Sequence, residues 1–243
     1  MTALLEVKDL HRSFGPVKAV DGASLTVDEG SVTALIGPNG SGKTTLFNLI
    51  TGHLRPDGGS VRFGGADATT AGPAALHRRG LTRTFQQARI FPQLTVQENL
   101  VVASGFTWRE LFGRRINPRD AEAAQRLLEE FRLAHVADLY AAELSYGQRK
   151  LLEFAAVLMS KPRLVLLDEP TAGVNPVLIE TMEQHIRERN AAGITFLIVE
   201  HDMGFVMRLC DPVVVLDRGR EIFVGTPAEV QQNPAVLDAY LGA

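Results

Sequence analysis

The chain has a single cysteine, no surplus of positive charge and no apolar run long enough to cross a bilayer, and each shortage removes a class of function. Cys210 permits no internal disulfide, and inside the apolar helical stretch VMRLC it reads as a small buried hydrophobe in a reducing compartment. A net charge of −3 and a pI near 6.1 supply none of the basic surface on which phosphate-backbone binding depends, so no nucleic-acid partner is expected. The runs LVLL (164–167), ITFLIV (194–199) and VVVL (213–216) fall far short of the roughly 20 residues of a membrane-spanning helix. Any membrane role must come through a partner. Glu6, Lys8 and Asp9 break up the N-terminus, which lacks the basic-then-apolar layout of a secretory leader, so the chain is expected to stay in the cytosol.

What is present is an ordinary core. Apolar residues make up 45% of 243, enough for one large domain or two small ones. The three short runs are continuously apolar and rich in branched residues, as strands of a parallel sheet covered on both faces are. Asn175 as N-cap and Pro176 at the first helical position start a helix over 176–190, which closes a β-α-β unit between two of the runs. The N-terminal segments LLEVKDL (4–10), VKAVDGASLTV (17–27) and SVRF (60–63) are punctuated by Gly, Pro and Asp and predict a small antiparallel layer. From about Leu94 to Met159 the patterning is helical, with Leu127, Leu128 and Phe131 on one face of a helix beginning near Asp120. Thr226-Pro227 and Asn233-Pro234 start two short helices in the tail. The fold class is therefore α/β.

The chemistry begins at Gly37-Pro38-Asn39-Gly40-Ser41-Gly42-Lys43-Thr44, a complete G-x-x-x-x-G-K-[ST] between an apparent strand (31–36) and an apparent helix (44–51). Its glycines let backbone N–H groups converge on phosphate oxygens, the helix N-terminus adds partial positive charge, and Lys43 brings a point charge to the β and γ phosphates. Thr44 would put its hydroxyl on Mg²⁺, and Thr45 would donate to the α phosphate.

Asp168 ends the buried run 164–167, where an ionised group needs a cation or hydrogen bonds to receive it. Strand alternation, with Glu169 held extended by Pro170, makes the two carboxylates diverge: Asp168 toward the metal, Glu169 toward an attacking water as general base. His201 follows the next strand and opens at the same carboxyl edge, within reach of a γ phosphate or of Glu169. Ser145 and Gln148 in Leu144-Ser145-Tyr146-Gly147-Gln148 have the spacing of a capping box that starts a helix.

Together these residues resemble the ATP-binding subunits of ABC transporters over nearly the whole chain. The family's Walker A is matched by Gly37 to Thr44, its Walker B by Leu164 to Asp168 with Glu169 as catalytic base, and its signature by LSYGQ at 144–148. By that resemblance Gln86 is the loop glutamine that senses Mg²⁺ and the transmembrane partner, His201 the switch histidine and Phe14 the aromatic that stacks on adenine. The implied fold is a P-loop NTPase RecA-like core with its antiparallel β layer over about 1–87 and 161–243, and an inserted helical subdomain over about 88–160. The implied ligands are ATP and Mg²⁺, with Thr44, Gln86 and Asp168 about the metal.

The same resemblance implies that Ser145, Tyr146, Gly147 and Gln148 act on the ATP of a second subunit, identical or paralogous, in a head-to-tail dimer. It also implies two transmembrane permease subunits, which hold this chain at the cytoplasmic face of the inner membrane, and, indirectly, a periplasmic or extracellular solute-binding protein. Two positions depart from the commoner pattern: Tyr146 stands where the signature has Gly, and the D-loop 172–175 ends in Asn175 instead of Asp. Both variants, with ARIFPQLTVQENL (88–100), Glu200-His201-Asp202-Met203 and the tail, look like the branched-chain amino-acid import subgroup. Urea or amide importers and lipopolysaccharide-export ATPases share much of that pattern. A soluble ABC ATPase would carry two cassettes or a long coiled-coil insert, and a non-hydrolysing module would need neither Glu169 nor His201. The basic, aromatic stretch 108–115 is open to two readings, a solvated loop or a contact with the permease or lipid headgroups.

Overall fold

A computed structural model describes residues 2–84, 90–104 and 118–241. Gln86 and the stretch 108–115 lie outside the described residues.

Two sheets stand on either side of one helix. Strands β1 (Ala3–Phe14), β2 (Val17–Asp28), β4 (Gly58–Phe63) and β5 (Ala66–Asp67) form an antiparallel sheet in the order β2-β1-β4-β5. The second sheet, in the order β10-β9-β3-β8-β7-β6, joins β3 (Val32–Ile36), β6 (Leu81–Arg83), β7 (Leu164–Asp168), β8 (Thr195–Val199) and β9 (Val213–Asp217) in parallel. β10 (Arg220–Gly225) closes one edge antiparallel to β9. Every residue of β3, β7 and β8 is buried, which is what continuous apolar runs produce when both faces of a sheet are covered.

Alternation along those strands divides the core in two. Leu35, Leu164, Leu166, Leu197, Val199 and Leu216 face helix α1 (Lys43–Ile50) and the antiparallel sheet, and pack with Leu46, Phe47, Ile50, Val61 and Phe63. Their neighbours Ile36, Val165, Leu167, Phe196, Ile198 and Val215 face the other way. There they meet α3 (Val96–Ala103), α4 (Pro118–Glu130) and α5 (Tyr146–Met159), among others; α2 (Pro73–Arg78) leads into β6. Phe131 packs edge-on to Phe154 at 5.6 Å, and Phe154 edge-on to Phe196 at 6.5 Å, so an aromatic chain runs from the end of α4 through α5 into the sheet. Truncating Phe154 would cost about 3–5 kcal/mol.

Local signals set the helix starts. Asn175 accepts from the Leu178 amide at 2.9 Å and Pro176 opens α6 (Pro176–Ala191), as expected. Asp202 caps α7 (Met203–Leu209) through Phe205 N–H at 3.1 Å. Thr226 and Glu229 form a capping box on α8 (Pro227–Gln232), and Pro234 opens α9 (Pro234–Leu241). Cys210 is buried, 3% exposed, just beyond α7. Among the described residues no helix is long and apolar enough to cross a membrane.

Candidate functional site

The carboxyl ends of β3, β7 and β8 bring the loop 37–44, Asp168, Glu169 and His201 to one edge of the parallel sheet. After β3 the chain turns through Gly37 to Gly42 and enters α1. Gly42 takes φ +103°, and a Cβ there would stand 2.3 Å from the Ala19 carbonyl oxygen, so this turn into the helix excludes any side chain. Lys43 is 7% exposed; its ammonium donates to the carbonyls of Gly37 (2.8 Å) and Pro38 (2.9 Å) and to Ser41 Oγ (3.4 Å). Burial pulls its pKa down, and the charges of Glu169 and Asp168 pull it back up. The loop thus holds its cation by backbone oxygens, while Asn39, Gly40 and Thr44 remain exposed and Thr45 half-buried. A cleft of about 480 Å³ opens beside it, lined in part by Pro38, Asn39, Ser41, Arg218 and Asp238.

Asp168 is buried, 4% exposed, and its Oδ2 accepts from Arg83 at 2.6 Å in an ion pair whose partners are both almost enclosed. Arg83 also donates to Asn48 of α1 at 2.7 Å and lies over the Phe47 ring at 5.4 Å. It therefore ties the helix after the phosphate loop to the acidic strand end. No motif announced Arg83; a lone Arg before a glutamine loop carries no signal in one sequence.

Glu169 departs from the extended conformation expected of a residue before proline: its φ is +47°. The cause is tertiary. Its amide donates to the Val199 carbonyl at 2.9 Å and its carbonyl accepts from Ala172 at 3.2 Å, so the chain turns over the end of β8 instead of running on. The side chains still diverge. Asp168 meets Arg83, while Glu169 Oε1 stands 2.9 Å from His201 Nε2, one of the two contacts expected for that histidine.

Beneath this pair sits Glu200, 2% exposed, which in the sequence stands out only as the first residue of Glu200-His201-Asp202-Met203. One of its oxygens accepts from the Thr171 amide (2.9 Å) and hydroxyl (2.6 Å), the other from the amides of His201 (2.8 Å) and Asp202 (3.1 Å). A single buried carboxylate thus joins the turn after Glu169 to the turn that carries His201.

Residues 144–148 stand at the start of α5. Ser145 Oγ accepts from the Gln148 amide at 3.3 Å and Gln148 Oε1 from the Ser145 amide at 2.9 Å, forming the expected capping box on α5. A Cβ on Gly147 would come within 2.8 Å of Leu178 Cδ2, so the glycine permits close packing on α6. Phe14, 45% exposed at the end of β1, has the Arg12 guanidinium 5.0 Å from its ring centre. Tyr240 on α9 lies beside the phosphate loop: burial pushes its phenol up, and the Gly37 amide pulls the other way.

Known proteins match this chain along its length. A family model described as ABC transporter matches residues 20–172, and one described as branched-chain amino acid ATP-binding cassette transporter matches 220–243. The chain is 40% identical to the high-affinity branched-chain amino acid transport ATP-binding protein BraF of Pseudomonas aeruginosa, covering 98% of both chains. It is 39% identical to a probable branched-chain amino acid transport ATP-binding protein, LivG, of Methanocaldococcus jannaschii, over 98% of this chain and 97% of that one. Among solved structures, the ADP conformation of an ATP-binding cassette from an ABC transporter superposes with a TM-score of 0.90 at 39% identity, covering 100% of both chains. A nucleotide-free cassette does so with a TM-score of 0.89 at 38% identity, again over 100% of both. With the phosphate loop, the acidic strand end and the histidine on one sheet edge, and relatives matched from end to end, the chain belongs to the ABC transporter family as an ATP-binding, ATP-hydrolysing subunit.

Proposed function

We propose that this subunit powers uptake of branched-chain or other small amino acids, from the cytoplasmic face of the inner membrane. As a transporter subunit it works with permease partners; the finer assembly is two such permeases, a second ATP-binding subunit of the same or a paralogous kind, and a solute-binding protein outside. The observation that carries the amino-acid reading is the match of the tail, 220–243, to a branched-chain amino acid family, joined to end-to-end relatives named for that transport.

In this reading the loop Gly37 to Thr45 cradles the ATP phosphates, with Lys43 on the β and γ oxygens and Phe14 against the adenine. The donor set suits Mg²⁺: Thr44 offers a hydroxyl, and Asp168 is a buried carboxylate that already draws a cation in Arg83. With Gln86, those residues would hold the ion, which when bound neutralises phosphate charge. Glu169 takes the proton of the attacking water, and His201, hydrogen-bonded to Glu169, fixes the direction of that carboxylate. Ser145, Gly147 and Gln148 present the start of α5, with its dipole, to the ATP of the second subunit, and Asn175 lies at the seam between the two. Closure on ATP and opening after hydrolysis shift the permeases between inward and outward states.

Uptake of radiolabelled leucine, isoleucine and valine tests this in cells whose only copy of the gene encodes either the natural chain or Lys43→Ala. Uptake should fall to background with the variant. Undiminished uptake of all three would contradict the amino-acid assignment.

A further inference from the structure

Away from the phosphate loop, a notch of about 370 Å³ separates the end of α4 from α6, lined in part by Glu130, Arg132, Glu180, His185 and Glu188. His185 lies at its base. The side chain is 8% exposed, its ring stacks on Phe131 at 4.0 Å and 17°, and Nδ1 is buried without a hydrogen-bond partner. A buried ring nitrogen with no partner costs free energy that the fold has left uncompensated.

Nδ1 points toward Glu188 Oε2 across 3.7 Å, too long for a hydrogen bond. That spacing is close to the roughly 3.3 Å between ligand atoms bound at about 2.0–2.1 Å to a tetrahedral ion. One oxygen each of Glu130 and Glu188 and a ring nitrogen of His185 lie within 4.8 Å of one another. Both carboxylates have a neighbour that holds them: Gln184 donates to Glu188 Oε1 at 2.8 Å, and Arg189 donates to Glu130 Oε1. At Glu188 this leaves Oε2, the oxygen that faces Nδ1, for an ion. The charges also favour a cation, since Glu130, Glu180 and Glu188 outnumber Arg132 and Arg189 around the notch. Burial pulls the imidazole below its ordinary pKa, against the pull of Glu188 and Glu130.

The geometry points to a divalent transition-metal site, of the kind zinc occupies, formed by Glu130, His185 and Glu188 with water as a fourth ligand. An imidazole with two carboxylates suits zinc rather than magnesium, which prefers oxygen alone. His185 and Glu188 share one face of α6 at a spacing of three, and Glu130 comes from the end of α4. A bound ion would fasten the helical segment to the helix that covers the parallel sheet.

Calorimetric titration of zinc into the nucleotide-free full chain tests this site independently of ATP turnover. One zinc per chain should bind at micromolar or tighter, and zinc should raise the thermal midpoint. Glu188→Gln, on the exposed rim, should weaken binding at least tenfold. His185→Phe keeps a ring against Phe131 and should do the same, its thermal midpoint without zinc showing that the fold is kept. No binding by the natural chain, or binding of undiminished affinity by both variants, would overturn the assignment.

Discussion

The hydroxyl of Tyr146 donates to the carbonyl of Ala172 across 2.9 Å. Its ring also lies over the next residue, for a Cβ on Gly173 would meet the hydroxyl at 3.4 Å and the ring carbons at 3.5–3.6 Å. The residue that departs from the commoner signature thus joins the start of α5 to the turn between Glu169 and Asn175. In the commoner pattern, a glycine at 146 has no side chain to make that bond.

Tyr146→Phe removes only the hydroxyl. One hydrogen bond contributes about 1 kcal/mol net, equivalent to roughly fivefold in an equilibrium. The expected result is a fall in kcat of about that size with KM for ATP unchanged, because the bond touches the link between signature and turn and not the phosphate loop. Steady-state kinetics at saturating ATP checks it; an unchanged kcat would leave Tyr146 a mere surface contact.

Glu200→Gln replaces one acceptor oxygen with an NH₂ that faces either the Thr171 donors or the amides of His201 and Asp202. Buried donors without an acceptor cost about 1–3 kcal/mol, more where a charged acceptor is lost. Urea unfolding should show destabilisation of about 2–4 kcal/mol, and turnover should fall as well, since the same carboxylate anchors the His201 amide. A variant of natural stability would mean that these four bonds are dispensable.

Burial, with the charges of Glu200 and Glu183 adding to it, pushes the Cys210 thiol from 9.0 up to about 12. An unfolded chain ionises that thiol near 9 while the native state resists, so Cys210 costs the fold nothing below pH 9. Stability then declines as the pH climbs from about 9 to about 12. Relative to Cys210→Ala, the natural chain should lose stability over that interval in chemical denaturation, and its native thiol should alkylate slowly at pH 8. Rapid alkylation at pH 8 without unfolding would contradict the burial.

Much of this was legible in the chain because the signals were local. Residues 164–167 and 213–216 could be read as buried parallel strands because both sheet faces are covered, and Asn175-Pro176 marked a helix start because capping is a matter of a few adjacent residues. The meeting of His201 with Glu169 was legible as one of two contacts, since both follow strands that end at one edge. What escaped was set by distant partners. Pro170 argued for an extended Glu169, but the Val199 carbonyl holds its backbone at positive φ. Arg83 became visible only when β6 paired with β7 and brought it to Asp168. Tyr146 could be flagged as unusual, yet its partner lies 26 positions along the chain.

Glu169→Gln removes the carboxylate proposed as the general base, beside His201, while leaving the phosphate loop intact. Two such subunits should bind ATP, close head to tail and remain closed. Sizing chromatography of this variant with ATP is the most direct measurement: a dimer that forms with ATP, disperses without it and does not turn over is the predicted result. A variant that binds ATP yet elutes only as a monomer would contradict the claim that the helix start at Ser145 completes the site of a second copy.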